Sequence, residues 1–304
     1  MRHFDAIVVG GGPAGVSCAV WLARLGLKPV LLEASAALGG LVRQNPFEDH
    51  WVAVLPGKNG ADMALNMATS TEQAGVVTFF HTRVAKLNKQ GGQFLAHTTG
   101  PAGEDVIAGK TVVIASGVRA RTLPGHSDEM RFPGVLVGPG LHVAEHDYQG
   151  LDVAILGGGD NAFENYSYVR SRGARSVHLY ARSVRAQAQW IARAPTVDVH
   201  VGPYVVEPAA RRINGQQYDR VLVFYGWEPR APFAEALNLA RDEKGFFCTD
   251  FSTAQTSEAG VYAIGEVANR MHPCVVTALA DGAVAAKAIQ ARLEGRVPLR
   301  HTAT

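Results

Sequence analysis

The sequence predicts an α/β protein built from two Rossmann-like dinucleotide-binding units. Three observations predict it. Short β-branched strands run directly into glycine-rich turns at residues 10–15 and again at 157–162. A helical stretch and then a second apolar strand follow each turn. Gly10 and Gly157 lie too far apart in the chain to share one unit, so each turn belongs to its own.

Phe4–Val9 reads as the first buried strand. It enters Gly10-Gly11-Gly12-Pro13-Ala14-Gly15, a G-x-G-x-x-G turn. Gly10 permits the tight turn, Gly12 lets a pyrophosphate approach the backbone, and Gly15 lets the helix pack on the strand. The helix is expected from Gly15 to Leu25, with Gly26 as its stop. Its free N–H groups and positive dipole end suit phosphate. Lys28–Leu32 is the second strand, ending in Glu33. That carboxylate stands eighteen residues after Gly15, where a ribose-binding acid belongs.

Asp152–Leu156 is the strand of the second unit and enters Gly157-Gly158-Gly159-Asp160-Asn161-Ala162, a G-x-G-x-x-A turn. A helix over 162–172 closes on Gly173, and Ser176–Tyr180 is the next strand. Ala181-Arg182-Ser183-Val184-Arg185 follows in place of an acid. A carboxylate there selects NAD, whereas arginine suits the 2′-phosphate of NADP, so Arg182 and Arg185 point to NADP. Solvated surface charge is the alternative reading of both. Two cradles imply two nucleotide cofactors. A pair of nicotinamides would exchange hydride to no purpose, while a flavin and a nicotinamide make a redox chain.

Composition excludes other classes. With 47% hydrophobic and 18% charged residues in 304, the chain is neither disordered nor collagen-like. A net charge of +2 supplies no field for nucleic acid. Cys18, Cys248 and Cys274 form no C-x-x-C pair, and no His/Cys/Asp cluster has metal-ligand spacing. The uncharged run Ala6–Ala23 has nearly the length of a membrane span, but Gly10–Pro13 would break it. A cytoplasmic protein without membrane or nucleic-acid partners is expected.

Two further segments carry a resemblance. Val112–Gly117 is a strand running into an Ala-Ser-Gly turn, with Arg119 and Arg121 beyond it. Gly260-Val261-Tyr262-Ala263-Ile264-Gly265-Glu266 is a strand ending in an acid, followed by Met271-His272-Pro273-Cys274 and a helix from Val275 to Leu293. Together with both cradles, over nearly the whole chain, the sequence resembles the thioredoxin reductase-like branch of the two-dinucleotide-binding-domain flavoproteins.

The resemblance implies a three-layer ββα FAD domain, residues 1–117 and 245–304, with an NADP domain, 118–244, inserted in it. It places hinges near 117–120 and 240–250, and makes Gly226-Trp227-Glu228-Pro229 the loop closing the NADP domain. It assigns FAD to Gly10, Gly12, Pro13, Ala14, Gly15, Glu33, Gly40, Ala115, Gly117, Gly265, Glu266, Val275 and Val276. Glu266 stands where the family usually has Asp. NADP falls to Gly157, Gly159, Asp160, Asn161, Ala162, Arg182 and Arg185. A homodimer is usual among relatives.

The chain also departs from thioredoxin reductases. They carry C-x-x-C before the second cradle, where this sequence has Gly140-Leu141-His142-Val143. The usual dithiol route to thioredoxin is therefore closed. Tyr148-Gln149-Gly150 and the Gly157-Gly158-Gly159-Asp160 turn look more like the thioredoxin reductase-like ferredoxin/flavodoxin–NADP reductases, which also lack the cysteine pair. A terminal ring covers the flavin in those enzymes; here His301 is the candidate, against a frayed terminus. Cys274 falls beside the flavin pyrimidine, as a reactive thiol or a small packing residue. His272 is a candidate proton donor.

Three functions follow as expectations. One is an NADPH-dependent FAD oxidoreductase serving an electron-carrier protein, with Arg119, Arg121, Arg211 and Arg212 attracting an acidic partner or simply scattered. Another is a reductase of a small molecule: a quinone, a nitro compound or a low-molecular-weight disulfide, with Cys274 or His272 catalytic. The third is a non-catalytic flavin- and nucleotide-binding sensor.

Overall fold

The structure, a computed structural model, describes residues 1–126 and 132–296. The chain divides into unit 1, Met1–Val118 with Glu228–Thr304, and unit 2, Arg119–Trp227.

Unit 1 opens with β1 (Arg2–Val9), α1 (Pro13–Arg24) and β2 (Pro29–Leu32). Ala6–Val9 are buried on both faces, as a central parallel strand requires. Pro13 pre-sets the first turn of α1, and Gly26, at φ +81°, follows its end. The helix begins two residues before the expected Gly15, because the turn's own Pro13 and Ala14 are already helical. Next come α2 (Gly60–Gln73) and β3 (Val77–Phe79), then β4 (Arg83–Gln90), β5 (Gln93–Gly100) and β6 (Gly103–Ile114). Gly91 and Gly92, both with positive φ, make the tight turn between β4 and β5.

In β6, Gly103–Gly109 pair antiparallel with β5 and Ile107–Ile114 pair parallel with β1. The sheet order is β3-β2-β1-β6-β5-β4. Alternate residues of the parallel strands serve two cores. Ala6, Val8, Leu31 and Val113 face α1 and Met63 of α2. Ile7, Val9, Val30 and Val112 face the opposite way, where Val84, Leu87, Phe94 and Ala96 of the antiparallel strands cover them. This is the three-layer arrangement.

The chain crosses into unit 2 through β7 (Val118–Ala120). There follow β8 (Val135–Val137), α3 (Leu141–Ala144), β9 (Asp152–Leu156), α4 (Asp160–Ser171), β10 (Ser176–Ala181), α5 (Ala188–Ile191) and β11 (Val199–Val201). A three-stranded ribbon of β12 (Val206–Glu207), β13 (Arg212–Ile213) and β14 (Gln216–Gln217) precedes β15 (Arg220–Val223). The sheet β11-β10-β9-β15-β8 is parallel throughout. Phe163, Tyr166 and Val169 of α4 bury against Val153 and Ile155 on one face.

The return crossing, β16 (Trp227–Pro229), pairs with β7. It corrects two expectations. Residues 228–244 belong to unit 1, and the second crossing is at 227/228, not 240–250. The reason is burial: Ala231, Ala234 and Leu239 sink into the core that holds Val84, Leu87 and Phe247. β17 (Val261–Ala263) then adds a parallel strand beside the end of β6. The expected strand to Glu266 stops at Ala263, and Gly265–Val267 forms a short 3-10 turn. The chain continues into α6 (Val275–Leu293), which packs on α1. Gly282 makes that contact possible: a Cβ there would lie 2.6 Å from both Ala14 O and Cys18 N. Among the described residues no helix is long and apolar enough to cross a membrane.

Candidate functional site

In unit 1, β1 delivers the chain into the cradle and α1 leads it away. Gly10 takes φ +110°, and a Cβ on it would lie 2.4 Å from Ala115 O. At Gly15 a Cβ would lie 1.9 Å from Gly10 O. Gly12 faces open space, with no atom within 4 Å of an added Cβ. It caps α1 without a side chain, and the first turn holds no acid. The helix therefore leaves its first N–H groups and its positive end free. Gly40, at φ +52°, closes on the same place, since its Cβ would sit 3.2 Å from Gly12 Cα.

Glu33 is 9% exposed, and both carboxylate oxygens are engaged. Oε2 accepts from Gly11 N and Oε1 from Ser35 N, each at 2.7 Å. The acid thus ties the cradle to the end of β2. Ala115 lies on the Gly10 side, and Gly117 turns at φ +65°. Between them Ser116 Oγ is buried and, among the described residues, without a hydrogen-bond partner, an orphaned polar atom beside the cradle. An open helix terminus, a glycine path and an orphan hydroxyl fit the diphosphate of FAD.

The second part of unit 1 assembles around Gly265. Gly265 turns at φ +68°, its Cβ position 2.9 Å from Ala14 Cβ, which seats the Gly265–Val267 turn against α1. Burial raises the Glu266 carboxyl above its ordinary range. Gly265 N donates to Asp281 Oδ2 at 3.0 Å, and Asp281 Oδ1 accepts from Arg270 Nε at 3.1 Å. With side chains 4% and 3% exposed, Arg270 and Asp281 form a buried ion pair. Arg270 donates further to Asp250 O at 2.8 Å and to Phe251 O. Sequence reasoning missed this pair; no spacing announces it.

Cys274 is the N-cap of α6, ahead of Val275 and Val276. Thr277 Oγ1 accepts from Cys274 N at 3.3 Å, lies 3.4 Å from Sγ, and donates to His272 O at 2.6 Å. Glu266, Arg270, Cys274 and Thr277 line one cleft. His272 is exposed, and among the described residues no hydrogen bond joins its ring to the Cys274 thiol. His301 lies outside the described residues.

In unit 2 a cavity of about 460 Å³ gathers every residue read from the sequence as nucleotide-binding: Gly157, Gly159, Asp160, Asn161, Ala162, Arg182 and Arg185. Gly157 needs its φ of +142°, and a Cβ there would lie 2.3 Å from Phe224 O. Gly159 opens on free space. It caps α4 without a side chain, as Gly12 caps α1. This cradle fits a second dinucleotide. The Asp160 side chain does not face the cavity alone, because both its oxygens accept from Gln187. Sequence reasoning missed Tyr204 and Tyr225, which also line the cavity, with Tyr204 donating to Tyr225 at 3.0 Å. Burial holds both phenols above their ordinary range, hence neutral donors.

At the place of a dithiol, Gly140-Leu141-His142-Val143 starts the short helix α3, with Val143 buried. Cys18 is fully buried and its thiol pushed far up by burial.

The sequence profile of the pyridine nucleotide-disulphide oxidoreductases matches residues 4–285. A 34.2 kDa protein in the rubredoxin operon of Clostridium pasteurianum is 27% identical, over 97% of this chain and 99% of that one. The thioredoxin reductase of Mycoplasma pneumoniae is 28% identical over 94% of each. The solved thioredoxin reductase of Lactococcus lactis shares the fold, with a TM-score of 0.78 at 24% identity, over 94% of this chain and 97% of that one.

Proposed function

The chain belongs to the pyridine nucleotide-disulphide oxidoreductase family, and from that premise we propose that it passes electrons from NADPH through FAD to a small electron-carrier protein. At the coarser level it is an NAD(P)H-dependent flavin oxidoreductase of thioredoxin reductase type, with FAD and NADP as its cofactors.

One observation carries the choice of acceptor. The dithiol position is occupied by Gly140–Val143, folded into α3, so this chain supplies no disulfide relay there. The acceptor must then meet the flavin itself. The relative named for a rubredoxin operon supports a carrier protein as that acceptor.

Bound FAD supplies hydride acceptance from a nicotinamide and release of electrons to an acceptor. The residues of this chain bind and orient. The cradle at Gly10–Gly15 and the open end of α1 hold the diphosphate, and Glu33 holds a ribose while anchoring Gly11. Gly265 and Glu266 border the cleft at the start of α6, whose first N–H groups favour an anionic edge placed against them. In unit 2, Gly157–Ala162 hold the second diphosphate, and Arg182 and Arg185 take the 2′-phosphate.

Anaerobic titration of the yellow protein with NADPH and NADH, followed by a panel of acceptors, tests this. NADPH should bleach the flavin at the lower concentration, and a ferredoxin, flavodoxin or rubredoxin should then reoxidise it. Turnover confined to quinones or disulfides would overturn the carrier reading. A second reading rests on Cys274, which caps α6 in the same cleft as Glu266: reduction of a low-molecular-weight disulfide, which Cys274→Ser would abolish.

A further inference from the structure

Arg182 and Arg185 sit on an exposed turn after β10, and the bonds that fix that turn come from backbone groups and from Gln187. Two sets of contacts bind it to the cradle. Arg185 N donates to Gly158 O at 2.7 Å. Gly158 lies so close beneath the turn that a Cβ on it would stand 1.9 Å from Ser183 O. The other set comes from Gln187. Its backbone N donates to Asp160 Oδ1 at 2.7 Å and its Nε2 to Asp160 Oδ2 at 2.8 Å. Gln187 Oε1 accepts from Gln189 Nε2 at 3.1 Å, which orients the amide with its N–H toward the acid. Both oxygens of one carboxylate are thus used to hold one residue.

Asp160 would otherwise be out of place. It is the first residue of α4, at a helix end suited to phosphate, where a bare carboxylate would repel the ligand. Its bonds to Gln187 give the acid a different task.

The geometry points to Gln187 as a positioning residue for nucleotide choice. Paired with Asp160, it latches the Arg182–Arg185 turn onto the Gly157–Ala162 cradle, so that both guanidinium groups meet the 2′-phosphate of NADP. Gln187 acts through the turn and not by touching the nucleotide. The inference rests on the proposed roles of Arg182 and Arg185, and it adds what holds them.

Calorimetric titration of the purified flavoprotein with NADP+ and with NAD+ tests it. In Gln187→Ala the NADP+ affinity should fall about 3- to 10-fold, the worth of one or two modest hydrogen bonds, with NAD+ affinity unchanged. Gln187→Glu should cost more, since two carboxylates then oppose each other. The exchange D160N/Q187E again sets a donor against an acceptor and should restore NADP+ affinity to within about threefold of the parent. The latch is overturned if Gln187→Glu leaves NADP+ affinity within about twofold, if both nucleotides weaken equally, or if the exchange does not rescue. A parent protein that binds NAD+ as tightly as NADP+ overturns the arginine reading itself, and the latch with it. A parent that prefers NADP+ while the Gln187 variants keep that preference overturns the latch alone.

Discussion

Arg270→Ala is the sharpest test of how the flavin side of the site is held. Arg270 and Asp281 are 4% and 3% exposed, so the pair lies in the regime where removing one partner strands a buried charge. Among the described residues the substitution leaves Asp281 with only the Gly265 N–H, and it takes a donor from Asp250 O and Phe251 O. Breaking such a pair costs about 3–5 kcal/mol. Domains are stable by only about 5–15 kcal/mol, so this is a large share. At about 2–4 °C per kcal/mol for a unit of this size, Tm should drop by roughly 6–20 °C. Thermal unfolding followed by circular dichroism gives the global figure. Release of flavin fluorescence reports the Gly265 turn, and should come first on heating. The double variant R270M/D281L strands no charge and should lose less than Arg270→Ala. A Tm shift below about 2 °C, or a double variant as unstable as Arg270→Ala, would refute the stranded-charge argument.

Other outcomes follow from the same geometry. Glu33→Gln sets an amide N–H against either Gly11 N or Ser35 N; it should cost about 1–3 kcal/mol, and the protein should lose FAD on dialysis. Gly15→Ala forces a Cβ to 1.9 Å from Gly10 O and should lower both flavin content and stability, the latter by about 1–3 kcal/mol. Burial raises Glu266 above its ordinary 4.5, so its contribution to stability is full below that pH and is lost as pH rises through the folded value. In the apoprotein, Glu266→Gln should therefore raise the urea midpoint at neutral pH and leave it unchanged in acid; an equal gain at both pH values would refute the assignment.

Local signals were legible where backbone geometry demands a particular residue. Gly10 and Gly157 stand where φ is positive and a carbonyl lies within 2.4 Å of a Cβ position, so no other residue serves there and the turn shows in the one-dimensional pattern. Glu33 was visible through its distance from Gly15. Its bond to Gly11 N was not. Other parts left no local trace. Arg270 and Asp281 read as an ordinary loop cation and helix acid until the fold buries them together. Gly282 looks like a weak spot in a helix until α1 is laid across it. Tyr204 and Tyr225 come from different connections and meet only at the cavity.

The amino-acid order alone determined that this protein has two dinucleotide cradles, that the second ends in arginines instead of an acid, and that no cysteine pair precedes it. Each of these is a short-range requirement of phosphate, ribose or sulfur chemistry on a few adjacent residues. Tertiary structure decided which unit receives residues 228–244, that Asp160 bonds Gln187, and which charges are buried. Those outcomes depend on burial and on contacts between residues remote in the chain, and a linear pattern carries neither.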